Sequence, residues 1–73
     1  MSEQPEVIDI TVNGKPRDVE AGATVAVLLE SLGIDPRQSA VERNMELVPR
    51  GVHAATVLEA GDRVEVVTLV GGG

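Results

Sequence analysis

A chain of 73 residues that is 42% hydrophobic yet has no Phe, Tyr or Trp is a single small domain with an aliphatic core. At this size only about 60% of the unfolded chain's surface is buried, which leaves little room for an enclosed active site. A net charge of -6, from 12 acidic and 6 basic side chains, opposes nucleic-acid binding and favours a basic protein partner, and the absence of cysteine excludes disulfides, thiolate metal sites and thiol catalysis.

Met1 to Glu6 is polar and acidic, unlike a signal peptide, and reads as a loose lead-in to a domain spanning 7–70. No apolar stretch is long enough to span a bilayer, so the expectation is a soluble, cytoplasmic protein. Val7 to Val12 alternates, with Ile8, Ile10 and Val12 on one face, and runs into Asn13-Gly14. Both residues tolerate the positive φ of a type I′ turn, so Lys15 to Glu20 is predicted to return antiparallel. Pro16 lacks an amide hydrogen and marks that strand as an outer one.

Thr24 to Gly33 places Val25, Leu28, Leu29 and Leu32 at helical spacing behind a hydroxyl residue suited to capping. Gly33 suits a left-handed terminus, Ile34 sits where a closing apolar contact is expected, and Asp35-Pro36 stops continuation. Ala40 to Arg43 and Glu46 to Val48 read as short strands around Asn44-Met45, followed by an irregular stretch from Pro49 to Ala55. Glu59 to Asp62 then turns the chain into the last strand, within the apolar run Arg63 to Val70. Hairpin, helix, short strands and a long last strand predict an α+β fold with a mixed sheet of four to five strands and the helix across one face. This is the β-grasp, or ubiquitin-like, order, with the first and last strands parallel and the helix in the crossover.

If Val64 and Val66 face the helix, Val67 and Leu69 fall on the opposite face, where a one-sided sheet should be polar. Together with Val70 they read as a partner-docking patch; a bulge or a covering loop is the alternative. Gly71-Gly72-Gly73 then forms a thin tail without Cβ atoms that could carry the Gly73 carboxylate into another enzyme's narrow channel. A frayed chain end is the plain alternative.

Other constellations carry little chemistry. His53 is the sole histidine, has no acid pair or cysteine beside it, and reads as a loop residue, so neither a catalytic nor a metal-binding residue is assigned. Glu42, Glu46, Glu59, Asp62 and Glu65 read as solvated acids. Asn13-Gly14-Lys15 lacks the spacing of a phosphate loop, so ATP is expected on a partner rather than on this chain.

The segments Asn13-Gly14, Ala23-Thr24-Val25 with Leu28-Leu29, Leu32-Gly33, Ala40-Val41-Glu42-Arg43-Asn44, Leu47-Val48-Pro49-Arg50, His53 to Leu58, Gly61 to Glu65 and Val70 to Gly73 resemble ThiS, the sulfur carrier family of thiamine biosynthesis. The likeness covers Ile8 to Gly73, and Val-Glu-Arg-Asn, Val-Pro-Arg and Ala-Ala-Thr-Val-Leu in this order are its specific part. The resemblance implies that the Gly73 carboxylate is adenylated by a ubiquitin-activating-type, ThiF-like enzyme using ATP. A sulfur donor, such as a cysteine desulfurase or rhodanese-type protein, then converts it to a thiocarboxylate, and a ThiG-like thiazole synthase takes the sulfur. The chain would be a co-substrate rather than an enzyme, with Gly71 and Gly72 giving access.

The third glycine and Met45 after Asn44, where a small turn residue is common, depart from the family pattern. Three alternatives stay open: a molybdopterin-synthase-type carrier, a ubiquitin-like protein modifier, and an interaction module with an inert tail. Thr68-Leu69-Val70, in place of aromatic and proline residues, argues against the first.

Overall fold

The computed structural model describes residues 6–69. The alternating segment Val7–Val12 forms β1 and Lys15–Glu20 forms β2, with Val12 opposite Lys15 across the turn. Asn13 and Gly14 take φ 52° and 82°, the paired left-handed values that a type I′ turn needs to match strand twist. β2 is an edge strand, so Pro16 withholds no hydrogen bond from a second neighbour.

The only α-helix among the described residues, α1, runs over Val25–Leu32. Thr24 Oγ1 accepts from the Val27 N–H at 3.2 Å, which satisfies one of the orphan amides of the first turn. At the other end Gly33 adopts φ 72°, its N–H donates to the Glu30 carbonyl and the Ile34 N–H reaches back to the Leu29 carbonyl. This is a Schellman closure, and Ile34 packs onto the core as that motif requires.

Past α1, Pro36–Gln38 makes a short 3₁₀ turn before β3 (Ser39–Arg43) and β4 (Glu46–Val48). The stretch from Pro49 to Ala55, expected to be irregular, contains a second 3₁₀ helix over Arg50–Ala55 that packs against α1. Neither short helix spans enough turns to leave a periodic signature in the sequence. The last strand, β5, covers Arg63–Thr68.

The sheet order is β2-β1-β5-β3-β4, with β1 and β5 parallel and every other pair antiparallel. α1 covers one face. Ile10, Val25, Leu28, Leu29, Val41, Val48, Leu58, Val64 and Val66 form the core between helix and sheet. Each such aliphatic side chain contributes about 1.5–3 kcal/mol when fully buried, so this layer can hold the domain together without an aromatic anchor.

His53 is a correction to the sequence reading. It is only 4% exposed, lies in the second 3₁₀ helix rather than in an open loop, and its Nε2 sits 3.0 Å from the Val48 carbonyl, while Nδ1 is buried without a partner. The 3₁₀ helix turns the imidazole inward because it lies against α1 and the end of β4.

Candidate functional site

The helix-free face of the sheet is built by strict alternation. Val41 pairs with Val66 and both point into the core, so their neighbours Ala40 and Val67, which also pair, point outward. Leu47, opposite Glu42, joins them. Val67 and Leu69 are 58% and 51% exposed; neither a bulge nor a covering loop removes them from solvent. Leu47 at 66% and Met45 at 79% extend the patch across β4. Ala40, Met45, Leu47 and Val67 line one shallow depression with Glu42, Arg63 and Glu65 on its border.

Leu47 and Met45 were missing from the sequence reading. The signal for Leu47 was present: Leu47-Val48 are adjacent apolar residues on one strand, so one of them has to face outward. Met45 is displayed by the β3–β4 turn, where Asn44 and Met45 hold φ 53° and 72°.

Asp62, read as a solvated acid, is 6% exposed and organises that turn. Its Oδ1 accepts from Asn44 Nδ2 at 3.1 Å, and its Oδ2 accepts from the Glu59 N–H at 2.8 Å and from Arg43 Nε at 2.9 Å. Asn44 Oδ1 in turn accepts from the Arg63 N–H at 2.9 Å. A buried carboxylate is tolerable only with such a full set of donors. The Arg43-Asn44 and Gly61-Asp62-Arg63 segments are therefore one fastening between the β3–β4 turn and the start of β5.

The same face is acidic. Asp9 and Asp18 stand directly opposite each other across β1 and β2, with Glu20 further along. The hydrogen bond and repulsion from Asp9 raise the Asp18 carboxyl above its ordinary range. On the other side, Asp35 is held below its ordinary range by hydrogen bonds from Arg37, its side chain first and then its backbone N–H.

Pairing with the β3 side continues to the last described residue, Leu69. The Leu69 N–H donates to the Gln38 carbonyl at 2.7 Å, and Thr68 pairs with Ser39. Val70, Gly71, Gly72 and Gly73 lie outside the described residues, as do residues 1–5. Among the described residues no group of three or more His, Cys, Asp or Glu side chains could hold a metal ion, and no helix is long and apolar enough to cross a membrane.

Comparison with known proteins agrees with this architecture. The ThiS family model matches residues 10–73. The crystal structure of the thiamine biosynthesis protein ThiS from Geobacter metallireducens superposes with a TM-score of 0.78 at 36% identity, over 90% of this chain and 100% of that one. Thiazole synthases of Paramagnetospirillum magneticum and Magnetococcus marinus are 44% and 48% identical over 64 residues, 88% of this chain. The chain spans about a fifth of the length of these two curated relatives, 20% in each case. A family match through nearly the whole domain, on a shared β-grasp fold, makes this chain a member of the ThiS family.

Proposed function

We propose that the chain is the sulfur carrier for thiazole formation in thiamine biosynthesis, acting as a protein co-substrate. The observation that carries this reading is that the family match continues through the three terminal glycines to Gly73. That matched segment keeps the tail on which the chemistry depends. Likeness to a segment of proteins named thiazole synthase supports the same pathway.

In this reading the Gly73 carboxylate attacks the α-phosphorus of ATP held by a ThiF-like enzyme, forming an acyl adenylate and releasing pyrophosphate. The outer sulfur of a persulfide on a cysteine desulfurase or rhodanese-type donor attacks the acyl carbon and AMP departs, leaving an acyl disulfide; a thiol reductant then cleaves that S–S bond, is itself oxidised to a disulfide, and releases the terminal thiocarboxylate. A ThiG-like thiazole synthase receives the sulfur. No side-chain thiol is needed, in keeping with a chain that has no cysteine. Val67, Leu69 and Val70, with Met45 and Leu47, form the docking face, and Gly71 and Gly72 provide access. As the first step consumes ATP, we assign the carrier to the cytoplasm.

Intact mass after incubation with the activating enzyme, ATP and a sulfur donor tests the proposal. The expected result is replacement of one oxygen by sulfur in the full chain and no change in a chain lacking Gly73. An unchanged mass, with the enzyme active on a control carrier, would leave an interaction module as the better account.

A further inference from the structure

Successive residues of a strand turn their peptide groups to opposite edges. On β5 the Arg63 carbonyl and the Leu69 N–H are bonded on the β3 side, to Asn44 and Gln38, whereas the Val64 carbonyl accepts from the Asn13 N–H on the β1 side. By the same alternation the peptide groups of Val66 face β1. But β1 ends at Val12, and its ladder with β5 stops at Val12 opposite Val64.

The Asn13 side chain fills the missing place. Its Oδ1 accepts from the Val66 N–H at 2.8 Å and its Nδ2 donates to the Val66 carbonyl at 3.2 Å, reaching across 53 residues of sequence. A carboxamide has the donor and acceptor of a peptide group, so it pairs with Val66 as another strand residue would. Glycine would keep the turn but bring no side chain. Aspartate would accept from the N–H but turn its second oxygen towards the Val66 carbonyl.

We propose that Asn13 is a positioning residue for sulfur transfer: its carboxamide continues the parallel ladder past the end of β1 and fixes the line along which β5 delivers the chain end to a partner's active site. The clamp stands on the geometry alone, while its role in transfer rests on the sulfur-carrier reading. Ordering a segment on binding costs conformational entropy, so a strand already held on both edges loses less of it when the tail enters a channel.

Two measurements test the inference. In the free protein, amide exchange at Val66 is expected to accelerate at least about tenfold in Asn13→Gly, whose turn tolerates glycine at both positions, with Asn13→Asp between that variant and the parent. In ATP–pyrophosphate exchange by the activating enzyme, Asn13→Gly is expected to lower kcat about tenfold while KM for the carrier stays unchanged, because the docking face is untouched. Val19→Ala, which weakens the core side of the hairpin without touching β5, serves as the control for stability loss and is expected to leave kcat unaltered.

Unchanged exchange at Val66 would overturn the clamp. A faster Val66 amide with unchanged kcat, or an equal kcat loss in Val19→Ala, would overturn the positioning role. If the parent chain itself supports no pyrophosphate exchange, the carrier reading falls and the transfer role with it, while amide exchange still decides the clamp.

Discussion

Met45 occupies φ 72° with a side chain that is 79% exposed. A left-handed backbone costs a residue with a Cβ roughly 1–2 kcal/mol, and glycine avoids most of it, so the fold gives up stability at this turn to display an unbranched thioether beside Leu47 and Val67. Met45→Gly is expected to raise stability by about 0.5–1 kcal/mol after the added chain entropy of glycine is subtracted, and, on the proposed carrier reading, to weaken binding of the proposed activating enzyme. Denaturant titration and a binding isotherm on the same variant check both halves. A gain in stability with unaltered affinity would remove Met45 from the docking face. At this scale the sequence reading was least complete. It recognised that Met45 was unusual after Asn44 and that Asn13 suited a turn, but the partners of Asn13, 53 residues away, and of Asp62 and Asn44 are long-range contacts without local signature.

The hairpin of β1 and β2 carries a conflict between its faces. Ile8 and Val19 pair on the core side, whereas Asp9 and Asp18 pair on the solvent side, like charges directly opposed. With its carboxyl raised by Asp9, Asp18 holds a proton in the folded chain at pH values where the unfolded chain has released it, so its contribution to stability declines as pH rises through the window above 3.8. Asp18→Asn removes this effect. The gain in melting temperature over the parent is expected to grow as pH rises above 3.8 and to flatten once Asp18 is ionised in the folded chain as well; a gain independent of pH would show the pair to be energetically silent. Asp35 works the other way, since its lowered carboxyl contributes stability that is lost as pH falls, which is why the comparison must be between variant and parent. Elements with strong periodicity and caps were readable: the hairpin with its Asn-Gly turn, and α1 between Thr24 and Gly33. The two 3₁₀ helices were not, and with them went the inward placement of His53, because such short turns are set by what they pack against.

Across the molecule, one face of the sheet holds the core under α1 while the other presents an apolar patch among acidic side chains. That division was legible from Val64 to Leu69, where two adjacent apolar positions forced a choice of face. Its extent was not, since the strand order that brings Leu47 and Met45 alongside Val67 is a tertiary fact. Leu69→Glu is expected to leave thermal unfolding unchanged and, on the proposed carrier reading, to weaken binding of the proposed adenylating enzyme at least about tenfold, as a charge set into an apolar contact should. Global unfolding of the variant would instead make Leu69 part of the core. The bond from Leu69 to the Gln38 carbonyl also acts as the fixed end of a ruler. Counting Leu69 itself, five residues run from that amide to Gly73, and a fully extended chain advances at most about 3.3–3.6 Å per residue, so the Gly73 carboxylate can lie no more than about 18 Å from that anchor. On the sulfur-carrier reading proposed above, a partner enzyme would have to hold its reacting atom within that radius of the Leu69 anchor. On that reading a tail one glycine shorter would reach about 3.5 Å less far, and intact mass of a Gly73 deletion after reaction with the partner enzyme checks whether the third glycine matters.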